Sequence, residues 1–148
     1  MSSRTQTKNA KKPKVIKTWN DAKKVVVRRV DLFGQQCELE RGVNFFVLML
    51  EKLGAVTEWS CEGHPSGFYI VFNAPLAVAQ KIHSCGFFTV ELEGGITERN
   101  PRWSIRASRV DTERERRMVL RWAADSWFKT FGSITLNANN QVVNRKKK

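Results

Sequence analysis

The stretch that decides the fold is WSCEGHPSGFYIVFNAPLAVAQKIHSCGFFTVELE, residues 59 to 93. Two apolar, β-prone runs flank the turn-forming residues EGHPSG, which predicts a hairpin. A helical run then begins at Pro75, which suits the first turn of a helix, and stops at Gly86. The closing residues, FFTVELE, alternate between two faces as a half-buried strand does. The order therefore predicts a hairpin that continues through a helix into a further strand.

The segment before this stretch predicts one more strand and one more helix. From Lys24 onward the run VVVRRVDLF is rich in β-branched residues and predicts a strand that ends near Gly34. The run VNFFVLMLEKLG, residues 43 to 54, has apolar residues at helical spacing and ends in a glycine. It predicts a helix that is buried on most of its sides.

The segment after the stretch completes the predicted architecture. RWSIRA, residues 102 to 107, alternates as a fifth strand, and Thr112 with Glu115 matches a capping box that begins a helix over about 112 to 131. The order of elements predicts an α+β domain, a ferredoxin-like split βαβ sandwich. We expect a mostly antiparallel sheet with helices on one face and an extra C-terminal helix.

Length and composition predict one domain between two basic tails. A chain of 148 residues that is 41% hydrophobic can build a core without disulfides or metal. Residues 1 to 17 are nearly devoid of large apolar side chains, which predicts a disordered basic arm. We expect a single α+β domain over residues 24 to 132, followed by a short edge segment and a basic tail over 133 to 148.

The sequence also indicates a compartment. It contains no apolar run of the roughly 18 residues that a membrane span needs, and its polar, lysine-rich start does not resemble a secretion signal. Three cysteines are an odd number at no framework spacing, which favours a reducing environment. We therefore expect no membrane segment and a cytoplasmic location.

The formal net charge of +12 lies mainly at the two ends of the chain. Residues 1 to 29 carry ten lysines and arginines against the single acid Asp21, and residues 145 to 148 are all basic. The intervening residues are close to balance, although residues 99 to 144 hold nine bases against four acids. Blocks of like charge are typical of interaction tails, and a basic block is attracted to phosphate.

This distribution predicts a small basic protein that associates with RNA or DNA through electrostatic contacts to the backbone. Tyr69 would add base stacking if it shares a sheet face with Arg102, Arg106 and the exposed Phe87. The contacts are expected from the tails and the arginine-rich C-terminal third. The predicted contact residues are Lys11, Lys12, Lys14, Arg28, Tyr69, Arg102, Arg106, Arg114, Arg117 and Arg121.

An alternative function is a protein-binding inhibitor or adaptor, for example a phage-encoded factor, that acts on a nucleic-acid-processing complex. It would use the acidic side of the domain, which includes Glu38, Glu40, Glu58 and Glu62. Catalysis is not expected. A Cys61 nucleophile with His64 as its base would be the candidate, but the sequence has no oxyanion glycine motif, paired-carboxylate motif or phosphate loop.

A second reading of the cysteines and histidines is a zinc site formed by Cys61, His64, His83 and Cys85. Thiolate and imidazole suit tetrahedral zinc, and an antiparallel helix beneath the third strand would return the second pair towards the first. The spacing favours packing instead, because a His-x-Cys pair is not a usual zinc-finger spacing. The cysteines would then be small buried hydrophobes, and His83 would interact with the last carbonyls of its helix.

Overall fold

The computed structural model describes residues 13–30, 33–61, 68–107 and 112–143. The strands are β1 Lys14–Ile16, β2 Arg28–Val30, β3 Gln36–Glu38, β4 Val56–Cys61, β5 Tyr69–Asn73, β6 Phe88–Gly94, β7 Arg102–Ala107 and β8 Ile134–Leu136. The helices are α1 Trp19–Lys23, α2 Asn44–Lys52, α3 Leu76–Ser84 and α4 Glu113–Phe131, with a 3-10 turn at Arg41–Val43 before α2.

The central sheet has four strands in the order β4-β5-β7-β6, and all its neighbours are antiparallel. Because β7 is antiparallel to both β5 and β6, those two strands run parallel with β7 between them. Helix α3 makes the crossover, so β5, α3 and β6 form a split βαβ unit. The α+β class and the mostly antiparallel sheet are confirmed, and the arrangement is consistent with a ferredoxin-like fold.

The first predicted strand lies outside the central sheet. Its described part, β2, forms a separate antiparallel hairpin with β3, in which Arg29 pairs with Cys37. β7 takes the place beside β5, because its Trp103 and Ile105 are buried and supply the apolar face that the core needs. Val30 of β2 is 60% exposed and offers no such face.

Strand β1 and helix α1 precede the predicted domain of residues 24 to 132, and strand β8 lies within the edge segment predicted after residue 132. β1 pairs with β8, and Ile16, Ile134 and Leu136 are buried in this small sheet. Helix α1, which has no counterpart in the predicted elements, begins at the N-cap Thr18, whose side chain accepts a hydrogen bond from the Asp21 amide. Residues 14 to 17 therefore belong to the domain rather than to the arm, of which residues 1 to 12 lie outside the described part.

Aromatic rings join the helices to one face of the sheet. Phe46 of α2 contacts the rings of Phe68, Phe88 and Trp127 edge-on, with centroids 5.0 to 5.3 Å apart. Phe68 and Phe88 stack at 5.0 Å. Such pairs contribute about 0.5–1.5 kcal/mol each beyond the area that they bury. The cluster fixes α2, α4 and the sheet relative to one another, and so positions the surfaces described next.

Candidate nucleic-acid interface

Helix α4 presents a row of arginines to solvent. It begins with the predicted capping box, in which Thr112 Oγ1 accepts from the Glu115 amide at 3.1 Å and Glu115 Oε1 accepts from the Thr112 amide at 3.2 Å. Three exposed arginines follow at i, i+3 and i+7, so they share one face over roughly 10 Å of helix. They are Arg114, Arg117 and Arg121. The adjoining face of the helix is buried, since Leu120, Ala123, Ala124 and Trp127 pack into the core.

Two apolar side chains interrupt this basic face. Trp122 is 51% exposed and Met118 is 37% exposed, which is unusual for side chains of their size. Arg117 Nη1 donates to Glu113 Oε2 at 2.9 Å, but both side chains are exposed, and such pairs contribute less than about 1 kcal/mol. No described carboxylate forms an ion pair with Arg114 or Arg121. The helix therefore presents arginines beside an aromatic side chain, a combination that proteins binding single-stranded nucleic acid commonly use.

Helix α1 brings a second basic segment to α4. Residues 13–30 carry six lysines and arginines against Asp21, and α1 packs directly on α4. Trp19 anchors α1, because its buried ring donates from Nε1 to the carbonyl of Gly42 at 2.9 Å. Lys23 Nζ lies 4.1 Å from the centroid of that ring. Two basic segments that lie far apart in the sequence are thus adjacent in the fold.

The small β1–β8 sheet holds the attachment points of both basic tails. Leu136 of β8 pairs with Lys14 on one side and forms a bridge to Val142 on the other. Strands lie about 4.8 Å apart in a sheet, so Lys14 and Val142 are separated by roughly 10 Å. Lys14 Nζ also donates to Asn140 Oδ1 at 2.8 Å. Lys11 and Lys12 of the predicted contacts lie outside the described residues, but their point of attachment is next to that of the C-terminal tail.

A cleft opens beside this sheet. Its volume is about 480 Å³, and its walls come from the β2–β3 hairpin, from α2 and from the segment after β8. The lining residues are Arg28, Arg29, Val30, Gln36, Glu51, Gln141 and Val142. Arg29 and Glu51 form a two-pronged ion pair, with Nε to Oε2 and Nη2 to Oε1 both at 2.6 Å. Arg28 is exposed, and no described carboxylate forms an ion pair with it.

The sheet face opposite the helices brings Tyr69, Arg102 and Arg106 together, as the alternation predicts. Tyr69 pairs with Arg106 across β5 and β7, and the Arg106 guanidinium lies 5.4 Å from the centroid of the Tyr69 ring. Asn73 pairs with Arg102 two residues along each strand, on the same face. Phe87 precedes β6 with a φ of 72° and is 45% exposed, so it is not part of the paired strands.

This face also carries carboxylates. Glu58 accepts from Arg102 Nε at 3.0 Å and from Arg102 Nη2 at 2.6 Å, and it accepts from Asn73 Nδ2 at 2.7 Å. Glu93 accepts from Ser104 Oγ at 2.5 Å, and Glu91 pairs with Ser104 across β6 and β7. The acids compensate the arginines, which makes this face a poor attractor of phosphate.

The Glu58 side chain is 13% exposed, and its ionisation follows from its partners. Desolvation by burial raises its pKa, but hydrogen bonds from Arg102 and Asn73 and the charge of Arg102 outweigh that effect. The net result is a pKa below the ordinary value of 4.5. Glu58 is therefore charged at neutral pH and holds Arg102 in place.

Three of the four acids assigned to the alternative function surround one groove. Glu38, Glu40 and Glu58 line a groove of about 300 Å³ between β3 and the edge strand β4. Glu38 also lies 3.5 Å from Arg41. The fourth acid, Glu62, lies outside the described residues. The lining of the groove is more acidic than that of the cleft, so the groove suits a basic ligand rather than a phosphate.

The predicted zinc ligands are only partly described. His64 and the side chain of Cys61 lie outside the described part, and His83 is exposed. Cys85 Sγ donates to the Lys81 carbonyl at 3.4 Å and to Thr130 Oγ1 at 3.5 Å, so its thiol packs between α3 and α4. Among the described residues, no group of three or more His, Cys, Asp or Glu side chains could hold a metal ion. Zinc binding stays a prediction.

Two features of the basic surface were not predicted from the sequence. Trp122 was assigned to the helix, but four-residue spacing from Met118 places both beside the arginines and could have identified it. Gln141 and Arg29 both line the cleft although they lie far apart in the sequence, an adjacency that no local pattern indicates.

Comparisons of the chain with family models, with curated proteins and with solved structures find no match. Within the described part of the chain, no helix has the length and hydrophobicity that a membrane crossing requires. Function must therefore be argued from the surfaces above.

Proposed function

We propose that the protein binds nucleic acid, RNA or DNA, through electrostatic contacts to the phosphate backbone made by its two basic tails and by the arginine face of α4. The observation that carries the proposal is the attachment of both tails to one small sheet, at Lys14 and Val142. Each tail brings four basic residues, over residues 1 to 12 and 144 to 148. The tails start from neighbouring points of the domain, and we propose that their charges act together on one nucleic acid.

Concentrated charge favours binding because each phosphate contact releases a counterion from the nucleic acid. Side chains that already hold a carboxylate, such as Arg102, contribute little to this release. Arginines of the α4 face without such a partner among the described residues, such as Arg114 and Arg121, contribute fully. The affinity should depend steeply on salt and weakly on sequence, since contacts to phosphate carry no base information.

Fluorescence anisotropy with labelled single-stranded RNA and duplex DNA tests the proposal on the full chain. The quantity compared is the salt slope, the slope of log affinity against log salt concentration. The variant pair Lys11→Gln with Lys12→Gln and the pair Lys146→Gln with Lys147→Gln should each reduce the salt slope by about two. A control with the same charge loss, Lys81→Gln with Arg99→Gln, should change the salt slope by less than about one half.

Micromolar or weaker affinity that is indifferent to salt would refute the proposal. Equal losses in the tail variants and the control would also refute it, because binding would then follow net charge alone.

A second candidate function is protein binding through the acidic groove between β3 and β4. Glu38, Glu40 and Glu58 line it, and they would meet a basic surface on a partner. Purification of the native complex before and after nuclease treatment separates the two functions. Proteins that stay bound after nuclease, and that are lost in Glu38→Gln with Glu40→Gln but kept in Glu91→Gln, support the groove.

A further inference from the structure

The cleft between the β2–β3 hairpin and Gln141 has the charge of an anion site. Arg29 and Glu51 line it, but their charges cancel through the two-pronged pair. Arg28 supplies the remaining positive charge among the described lining residues. Among the described lining residues the net charge is therefore +1, while Glu38, which faces Arg28 in the register of the hairpin, lies outside the lining.

The walls also supply donors. Gln36 and Gln141 line the cleft, and Gln141 Oε1 accepts from Asn137 Nδ2 at 3.3 Å. This contact uses the oxygen of the Gln141 amide and leaves its nitrogen to donate. A guanidinium and two amide groups supply N–H donors for the unesterified oxygens of a phosphate group.

The backbone around Arg28 is held in position. Arg29 Nη1 donates to the Arg28 carbonyl at 2.6 Å, while its other nitrogens hold Glu51 of α2. The opposite wall is tied down by Asn140, whose Nδ2 donates to the Val26 carbonyl at 3.1 Å. Both walls are thus fixed without a ligand, which lowers the entropy lost on binding.

We propose that this cleft binds one phosphodiester group of the nucleic acid, with Arg28 as the charged contact and Gln36 and Gln141 as neutral donors. The inference rests on the proposed function and names the site where the domain itself binds the phosphate backbone of the nucleic acid. A phosphodiester carries a single negative charge, which matches the net charge of the cleft. A phosphomonoester carries close to two negative charges at neutral pH and would meet the Glu51 carboxylate in the wall.

The cleft lies next to the point where the C-terminal tail begins. Val142 lines it, and the basic tail begins two residues later, at Asn144. A backbone held at Arg28 lies within reach of the tail lysines, so the tail then binds at a high effective concentration. The cleft thus adds one fixed contact to the electrostatic contacts of the tail.

Substitutions in the full chain test the site by affinity for single-stranded RNA and for DNA of the same sequence. Arg28→Gln should lower both affinities about tenfold and reduce the salt slope by about one. Arg28→Lys should keep the salt slope and lower the affinity about threefold, because an ammonium lacks the planar fork of donors. The matched control Arg99→Gln, in the turn between β6 and β7, should change neither quantity by more than twofold.

A direct titration tests the ligand class. We expect dimethyl phosphate, a phosphodiester, to shift the NMR resonance of Arg28 Nε more than that of Arg99, and to do so at lower concentration than inorganic phosphate. Equal shifts at Arg28 and Arg99, or tighter binding of inorganic phosphate, would overturn the site. So would full affinity in Arg28→Gln while the tail variants weaken binding, a result that leaves the proposed function standing. Loss of salt dependence in every variant would instead overturn the proposed function.

Discussion

The sheet face around Tyr69 and the exposed face of α4 carry similar side chains, but their arginines differ in the carboxylates that pair with them. Both combine an aromatic ring with arginines. On the sheet, Arg102 is held by Glu58 at 2.6 Å, and two further carboxylates share the face. On α4, Arg117 has one exposed partner, and no described carboxylate pairs with Arg121. An arginine that stabilises the fold and one that can bind phosphate differ in the carboxylate beside them.

The largest expected effect concerns the sheet side of this comparison. Arg102→Ala leaves the Glu58 carboxylate without its two-pronged partner, and we expect it to lower the free energy of unfolding by about 2 kcal/mol. Arg114→Ala on α4 should change that free energy by less than about 0.5 kcal/mol. Chemical denaturation of both variants at neutral pH measures the difference. Equal costs would show that Arg102 is not held by Glu58 in the way described.

The next effect is the pH dependence of the same pair. The pKa of Glu58 is lowered by folding, so the unfolded chain binds more protons in the window just below the ordinary value of 4.5. The stability from this group is complete above that value and is lost as pH falls through the folded pKa. We expect Glu58→Gln to lose about 1 kcal/mol at neutral pH and to show a weaker acid dependence below pH ~4.5.

Denaturation midpoints of Glu58→Gln and the unchanged chain across this pH range measure the effect. Glu91→Gln is the matched control, because Glu91 is exposed on the same sheet face. Identical acid dependence in the unchanged chain and in Glu58→Gln would contradict the assignment.

The smallest expected effect tests the aromatic part of α4. Trp122→Ala should lower the affinity for single-stranded RNA about fivefold, because a base loses its stacking partner. It should leave the affinity for duplex DNA unchanged, since the bases of a duplex are already stacked. Anisotropy with both ligands measures this. Tyr69→Ala on the sheet is the control and should change neither affinity by more than twofold.

The fold could be predicted wherever one element carries its own pattern. The alternation of RWSIRA and the capping box at Thr112 identify β7 and α4 within a residue or two. The pairing of β1 with β8 could not be predicted, because each strand has three residues and they meet from opposite ends of the chain. The pairing of β2 with β3 could not be predicted for a different reason, because β3 lies in a polar segment without alternation.

In the candidate site, too, local patterns could be predicted and long-range pairing could not. Arg114, Arg117 and Arg121 were predicted as contacts, and their helical spacing alone places them on one face of α4, because that periodicity is local. Arg102 is paired with Glu58, which lies 44 residues earlier in the sequence. The register of β4, β5 and β7 brings the two side chains together. Sequence patterns identified the arginines but not their partners.

The comparison between the two faces is tested most directly by two triple variants with equal charge loss. One replaces Arg114, Arg117 and Arg121 of α4 with Gln, and the other replaces Arg99, Arg102 and Arg106 on the sheet side. Circular dichroism confirms folding, and the salt slope for single-stranded RNA is measured for each. We predict that the α4 variant reduces the slope by about three and the sheet variant by less than one. Equal reductions, or a larger one in the sheet variant, would contradict the assignment of the interface to α4.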